Sequence, residues 1–469
     1  MLLIPKYIIE HSKNILQAQN LLKEKEDQVG LCETELTKIE GKGFIVLDYG
    51  EELCGGIRIA TFLTAEYKQV KIRIRFGESL SEAYSELGEK NSMNAHSLRD
   101  FETDLVSYSS MTFGQTGFRF VRIDFLEDVC LSIKSINASE QRHNLQPIYE
   151  YKGKDNAVCD IFHTAKRTID LCMQDYLWDG IKRDRLVWIG DMHPEMLAVA
   201  TLYGRQPIIE KSIDFIKKQT PLPNWMNRMP MYSLWWIIIL ADYYRLTNCF
   251  EYLQCQIDYL RGLLELINDY IDENGDMHFS SYFVDWQTKD TPDEQAGARA
   301  ICIWGVKSAI ELQNQMGIDT SLSRSILGKL MRKPVEIKSS KQAIGLKYTA
   351  LGEISENERQ ILLTGGAKGL STFMSYYILK AVAETSGTSR AVAIMKEYYG
   401  GMLRRGATTF WEDFNIEWLE GSGRIDEIPE NGLKDLHGDF GAYCYRGFRH
   451  SLCHGWSAGV IKFIQEYVQ

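Results

Sequence analysis

Two hydrophobic periodicities divide the chain. Between residues 43 and 136, apolar and polar positions alternate in short runs. Val70-Lys-Ile-Arg-Ile-Arg-Phe76 alternates strictly, apolar against basic, the pattern of a strand with one buried face. Residues 44–49, 57–62, 118–125 and 131–136 read as further strands. Gly55-Gly56 and Phe113-Gly-Gln-Thr-Gly117 read as turns, and 83–100 as a polar loop. Residues 11–40 are polar with scattered Ile15, Leu21, Leu22 and Val29, which fits a helix or an irregular lead-in equally. Short strands punctuated by turns predict an antiparallel β-sandwich over residues 1–150.

From about residue 155 the period lengthens to that of helices. Stripes run over 157–177, 193–204, 207–219, 231–246, 251–269, 293–315, 321–332, 356–364, 370–386, 388–405 and 454–467. A twelfth helix is expected within 410–436. Twelve helices make six hairpins, so residues 151–469 are predicted to form an (α/α)6 toroid with its active site in the loops at one end. No internal sequence repeat supports a solenoid.

Composition narrows the function. The 469 residues, 45% hydrophobic and 25% charged, suffice for a large core and two or three domains. A net charge of −10 argues against a nucleic-acid backbone as partner. The ten cysteines are scattered without a CxxC pair, which predicts reduced thiols rather than a disulfide framework. The first ten residues contain Pro5 and Lys6 and lack the regions of a signal peptide. The most apolar internal run, 234–241, is too short to span a bilayer. A cytoplasmic protein without a membrane partner is therefore expected.

The densest chemistry lies in Asp179-Gly-Ile-Lys-Arg-Asp-Arg-Leu-Val-Trp-Ile-Gly-Asp191. Carboxylates accept hydroxyl protons, arginines fix carboxylate geometry, and an indole offers an apolar face, so the stretch can bind a polar, ring-shaped ligand. Residue types alone fit a surface loop with local ion pairs equally well.

This stretch resembles the signature of the bacterial and fungal α-L-rhamnosidases, glycoside hydrolase family 78. Asp179, Arg183, Asp184, Arg185, Trp188, Gly190 and Asp191 fill that signature in order. Many members carry Asp-Glu where this chain has only Asp184, and there the Glu is the proton donor. The resemblance thus implies either that Asp184 is the donor on a loop one residue shorter or that the donor is missing; Glu195 is the next candidate. It further implies that Asp179, Arg183, Trp188 and Asp191 hold the sugar. Asp48-Tyr-Gly-Glu51, Arg75-Phe-Gly-Glu78 and Gly117-Phe-Arg-Phe-Val121 resemble the small β domain that precedes the catalytic domain in that family. The family's usual C-terminal β domain is expected to be absent or reduced.

Other segments extend the resemblance. Gly406-Ala-Thr-Thr-Phe-Trp-Glu-Asp-Phe414 is similar to the family segment bearing the general base, which implies that role for Glu412, with Asp413, Glu417 and Glu420 nearby. Ser451-Leu-Cys-His-Gly-Trp-Ser457 is similar to the segment whose His contacts the sugar, implying His454. The segments around Trp236 and Phe283-Val-Asp-Trp286 imply that Trp236, Asp285 and Trp286 bind substrate. A metal reading of His437, His450, Cys453 and His454 fits no closed zinc site, so no metal and no cofactor are expected. The reading is an inverting glycosidase for terminal α-L-rhamnosides. Its rivals are a glycosidase of the same fold with another sugar preference and a sugar-binding homologue without hydrolysis.

Overall fold

The computed structural model describes residues 1–430 and 432–468. Nine strands occupy the first part among the described residues: β1 Leu2–Leu3, β2 Tyr7–His11, β3 Ile15–Leu16, β4 Thr37–Glu40, β5 Gly43–Thr64, β6 Val70–Gly77, β7 Asp100–Leu105, β8 Ser109–Phe125 and β9 Cys130–Glu140. They form one antiparallel sheet in the order β3-β4-β9-β5-β8-β6-β7, with β1 on β9 and β2 on β5. Ile45, Ile123 and Ile74 lie opposite one another across β5, β8 and β6 and share one buried core. The alternation in the sequence is the record of that face.

The sequence predicts a sandwich of separate sheets; the structure has one sheet that curls. The two glycine runs expected as turns explain the difference. Gly55-Gly56 lies inside β5 and Gly114 inside β8, where the pairing shifts register. A Cβ on Gly56 would fall 2.2 Å from the Gly114 carbonyl oxygen, and Gly114 itself has φ +76°. The glycines permit bulges and a close strand approach, so the strands bend and continue instead of ending. The lead-in at 11–40 is neither helix nor wholly irregular: it contains β3, β4 and a 3-10 turn, Ala18–Leu22.

Twelve longer helices follow among the described residues: α1 Asn156–Cys172, α2 Met192–Tyr203, α3 Pro207–Gln219, α4 Pro230–Thr247, α5 Ile257–Asp269, α6 Glu294–Met316, α7 Ser321–Leu330, α8 Lys341–Leu351, α9 Glu356–Leu363, α10 Ser375–Ser386, α11 Thr388–Arg404 and α12 Val460–Tyr467. The even-numbered helices contact one another in sequence, α2 on α4, α4 on α6, α6 on α8, α8 on α10 and α10 on α12, and α12 returns to α2. The twelfth helix expected within 410–436 is not present among the described residues there, which are irregular apart from a 3-10 turn, Ile416–Leu419. Instead the twelfth is α8, which shows no stripe because Lys341, Gln342, Ala343, Ile344, Gly345 and Leu346 are all buried. No helix among the described residues is long and apolar enough to cross a membrane.

Candidate functional site

Three separated segments meet at one mouth of the helical part, held by backbone hydrogen bonds. The Gly455 N–H donates to the Asp179 carbonyl (2.7 Å), the His454 N–H to that of Phe410 (3.0 Å), and the Glu412 N–H to that of Ser451 (3.0 Å). Residues 451–455 are thereby laced between the 179–191 stretch and the segment after α11. Small residues allow the approach. A Cβ on Gly190 would lie 2.4 Å from the Tyr232 ring, and one on Gly455 2.4 Å from Glu195 Oε1.

A cavity of about 420 Å³ opens there, within the range of small-molecule sites. Asp179, Arg183, Asp184, Trp188, Asp191, Trp286, Glu412 and His454 all line it. Arg183 links the two carboxylates expected to be catalytic. Its Nη1 donates to Asp184 Oδ1 (2.9 Å), its Nη2 to Glu412 Oε1, and its Nε to the Arg449 carbonyl (3.1 Å). The guanidinium also lies over the Tyr445 ring, 5.3 Å from its centroid. Glu412 is buried in the irregular segment after α11, not at a helix start, and its Oε2 accepts from the Ser451 N–H (3.1 Å). Asp184 is 19% exposed, with His96 Nδ1 3.3 Å from Oδ1.

The deeper acids differ in character. Asp179 accepts from the Leu186 N–H (2.8 Å), and Asp191 from the Tyr232 hydroxyl (2.6 Å). Burial raises both carboxyls, Asp191 to about 8 and Asp179 well above its usual range, with Asp184 adding to Asp179. His454 is held neutral by burial and by Arg183. Its Nε2 stands 3.6 Å from Glu412 and 3.7 Å from Asp179, beyond hydrogen-bond length. The indole N–H of Trp188 is buried without a partner. Trp286 donates to the Tyr445 hydroxyl (2.6 Å) and stacks on Tyr443. The arrangement offers acidic and neutral hydrogen-bonding groups between aromatic walls, suited to a polyhydroxylated ring.

Two expected substrate contacts lie elsewhere. Trp236 is fully buried and packs edge-on against Tyr259 of α5, outside the cavity lining. Because α4 is buried on nearly every side, its sequence does not reveal its inward face. Asp285 is buried behind the cavity wall, accepting from the Ser371 hydroxyl and the Trp286 N–H, and burial raises it to about 6. It orders the turn that presents Trp286. Glu195 is buried in the first turn of α2 outside the lining, and burial raises it well above its usual range. His437 and His450 spend ring nitrogens on backbone, His437 Nε2 on the His450 carbonyl and His450 Nε2 on the Asp413 N–H. Tyr232, Tyr445, Trp456 and Arg449 also line the cavity; the motifs give no sign of the tyrosines, which as residue types are common in cores.

A second cavity, of about 450 Å³, lies among the six even-numbered helices, α2 to α12. Its charges are already paired, Asp242 with His193 (2.7 Å), Lys380 with Glu384 (2.6 Å) and Lys462 with Glu466 (3.2 Å). It contains none of the motif residues.

Comparison with solved structures places this fold. The chain superposes over its whole length on a rhamnosidase from Klebsiella oxytoca with rhamnose bound, with TM-score 0.76, 18% identity and 96% of that chain covered. A GH78 family rhamnosidase of Bacillus sp. GL1 matches 96% of this chain with TM-score 0.71 and 17% identity. An α-L-rhamnosidase of Streptomyces avermitilis complexed with L-rhamnose matches 90% with TM-score 0.66 and 14% identity. The chain covers 48% and 42% of the latter two. No family model matches the sequence, and no curated protein matches it. The protein has the fold of the GH78 α-L-rhamnosidases, a mixed architecture of curled antiparallel sheet and many helices.

Proposed function

We propose that this protein is a glycoside hydrolase that cleaves terminal α-L-rhamnosides with inversion, and that its helical half is an (α/α)6 toroid. The toroid reading is supported by the circular contact order of the even-numbered helices. The observation that carries the function is the pair Asp184 and Glu412, held at two ends of one guanidinium inside the cavity. Their nearest oxygens lie no further apart than two hydrogen bonds and the width of that group. Inverting hydrolysis needs one carboxyl to protonate the leaving oxygen and another to activate water on the opposite face, about 6.5–9.5 Å away. Asp184, the more exposed, takes the leaving-group side, and Glu412 the water. Asp179, Asp191, His454 and Trp188 hold the sugar, with Trp286 as a wall.

A second reading concerns the donor. Asp191 is raised to about 8 and so carries a proton at neutral pH, as a general acid must. Turnover of a nitrophenyl glycoside panel tests the sugar, and an early proton spectrum of the product tests inversion. Asp184→Asn should slow substrates with poor leaving groups by about 10²–10⁴-fold and nitrophenyl rhamnoside much less. If Asp191→Asn shows that leaving-group dependence and Asp184→Asn does not, Asp191 is the donor. Glu412→Gln should abolish turnover and retain rhamnose binding. Binding of rhamnose with no turnover by the unmodified protein would instead favour the non-hydrolytic rival.

A further inference from the structure

A buried ionic cluster joins the sheet to the helical part immediately behind the cavity. Lys182, the residue before Arg183, places its ammonium on Glu78 Oε2 (3.0 Å), Glu82 Oε1 (3.2 Å) and the carbonyls of Phe448 (2.9 Å) and His450 (2.6 Å). Glu78 follows β6 directly, and Glu82 lies in the short helix Leu80–Tyr84 that Ser79 caps. Both carboxylates are fully buried. Glu78 also reaches the third segment of the site: Oε1 accepts from the Ser451 hydroxyl (3.0 Å) and Oε2 from the Leu452 N–H (2.6 Å). Ser451 is the residue whose N–H holds Glu412. His437 completes the group, with Nε2 on the His450 carbonyl (2.8 Å) and Nδ1 at the Ser79 hydroxyl (2.7 Å).

Glu78, Glu82 and His437 bring potential ligand atoms within 4.8 Å of one another, the spacing of a cation site. The Lys182 ammonium already bridges the two carboxylates, and both nitrogens of His437 are engaged. The cluster therefore reads as a joint. Burying two carboxylates against one ammonium is costly unless the geometry is well satisfied, and here the acceptors converge on Lys182 from two other parts of the chain, residues 78–82 and 448–450.

We propose that Glu78 and Glu82, supplied by the sheet half, are positioning residues for the Arg183–Glu412 pair. Through Lys182 they fix the backbone next to Arg183; through Ser451, Glu78 fixes the amide that holds Glu412. This rests on the reading of Glu412 as the base. The sheet half is then part of the catalytic apparatus, although neither glutamate touches the substrate.

The test uses the full chain with Glu78→Gln, Glu82→Gln, Lys182→Met and Lys182→Arg, and Glu102→Gln on β7 as an exposed control. Misplacement of the pair by about 1 Å should lower kcat by about 10²-fold with KM little changed. Lys182→Arg should recover part of the loss that Lys182→Met shows. Hydrogen exchange reads the joint without any turnover. Peptides covering 179–191 and 446–456 should exchange faster in the Gln and Met variants, and peptides from α4 should not. If Glu78→Gln fails to fold, Glu82→Gln and the two lysine variants carry the comparison. Unchanged exchange in both loops overturns the proposal, as does normal kcat in folded variants of an active enzyme. A protein that hydrolyses no rhamnoside but shows the local exchange loses the rhamnosidase reading and keeps the joint.

Discussion

Asp191 shows how burial sets the proton balance of one side chain. Its carboxyl is buried at the cavity floor with the Tyr232 hydroxyl as donor, and burial raises it to about 8, against about 3.9 in an unfolded chain. Between those values the folded state holds a proton that the unfolded state has released, so stability falls as pH rises. The contribution is complete below about pH 4 and gone above about pH 8, with a slope of at most about 1.4 kcal/mol per pH unit. Thermal melts of Asp191→Asn should therefore lose stability less steeply than the unmodified protein across that window. Parallel curves would place the Asp191 proton elsewhere. The signature residues were legible because their chemistry is dense at fixed spacing. Tyr232 and Tyr445 were not, since only the fold brings them to Asp191 and Arg183.

The helices are where periodicity both informs and misleads. Amphipathic α3 and α5 show their buried faces in the sequence, with Ile209, Ile213 and Ile216 in one and Leu260, Leu263, Leu264 and Ile267 in the other. Helix α4 and the first half of α8 are wrapped by protein and lose that contrast, so α8 carries no stripe in the sequence and the residues of α4 do not tell which of its faces meets the cavity. Trp236 and Trp286 test the correction. Trp236→Ala should cost about 3–5 kcal/mol of stability by opening the core, measured by denaturant unfolding, and leave rhamnose affinity unchanged in the folded protein. Trp286→Ala should do the reverse, weakening rhamnose binding in calorimetry with a smaller loss of stability. Weaker sugar binding by folded Trp236→Ala would return that indole to the site. Among the strands, alternation located the buried faces, but Gly55-Gly56 and Gly114 hid a curl because glycine marks bulges and turns alike.

At the scale of the molecule, Asp184 and Glu412 come to one Arg183 guanidinium from segments more than two hundred residues apart, and the proposed ring closure rests on the contact of α12 with α2. Local patterning could suggest that closure through the number of helices but not contain it, since the contacts join residues hundreds of positions apart. The junction between sheet and helices was equally illegible. It consists of charged and polar side chains that the sequence alone would assign to the surface. Besides the Lys182 cluster, Arg119 on β8 pairs in two places with Asp48 (2.8 and 2.9 Å), donates to the Gly406 carbonyl (3.2 Å) and approaches Asp426 (3.4 Å). The Leu80 N–H donates to the Ile425 carbonyl (2.9 Å), and the Glu52 N–H to the Thr408 hydroxyl (2.9 Å). With so many buried bonds crossing it, neither half can open without leaving polar groups unpaired. The sheet and the helices should therefore unfold together, in one calorimetric transition at neutral pH. Arg119→Met strands the buried Asp48 carboxylate and should destabilise by about 3–5 kcal/mol, moving that single transition to lower temperature. Two resolved transitions in the unmodified protein, or an Arg119→Met melt that shifts only one of them, would mean that the halves fold independently and that the junction merely docks them.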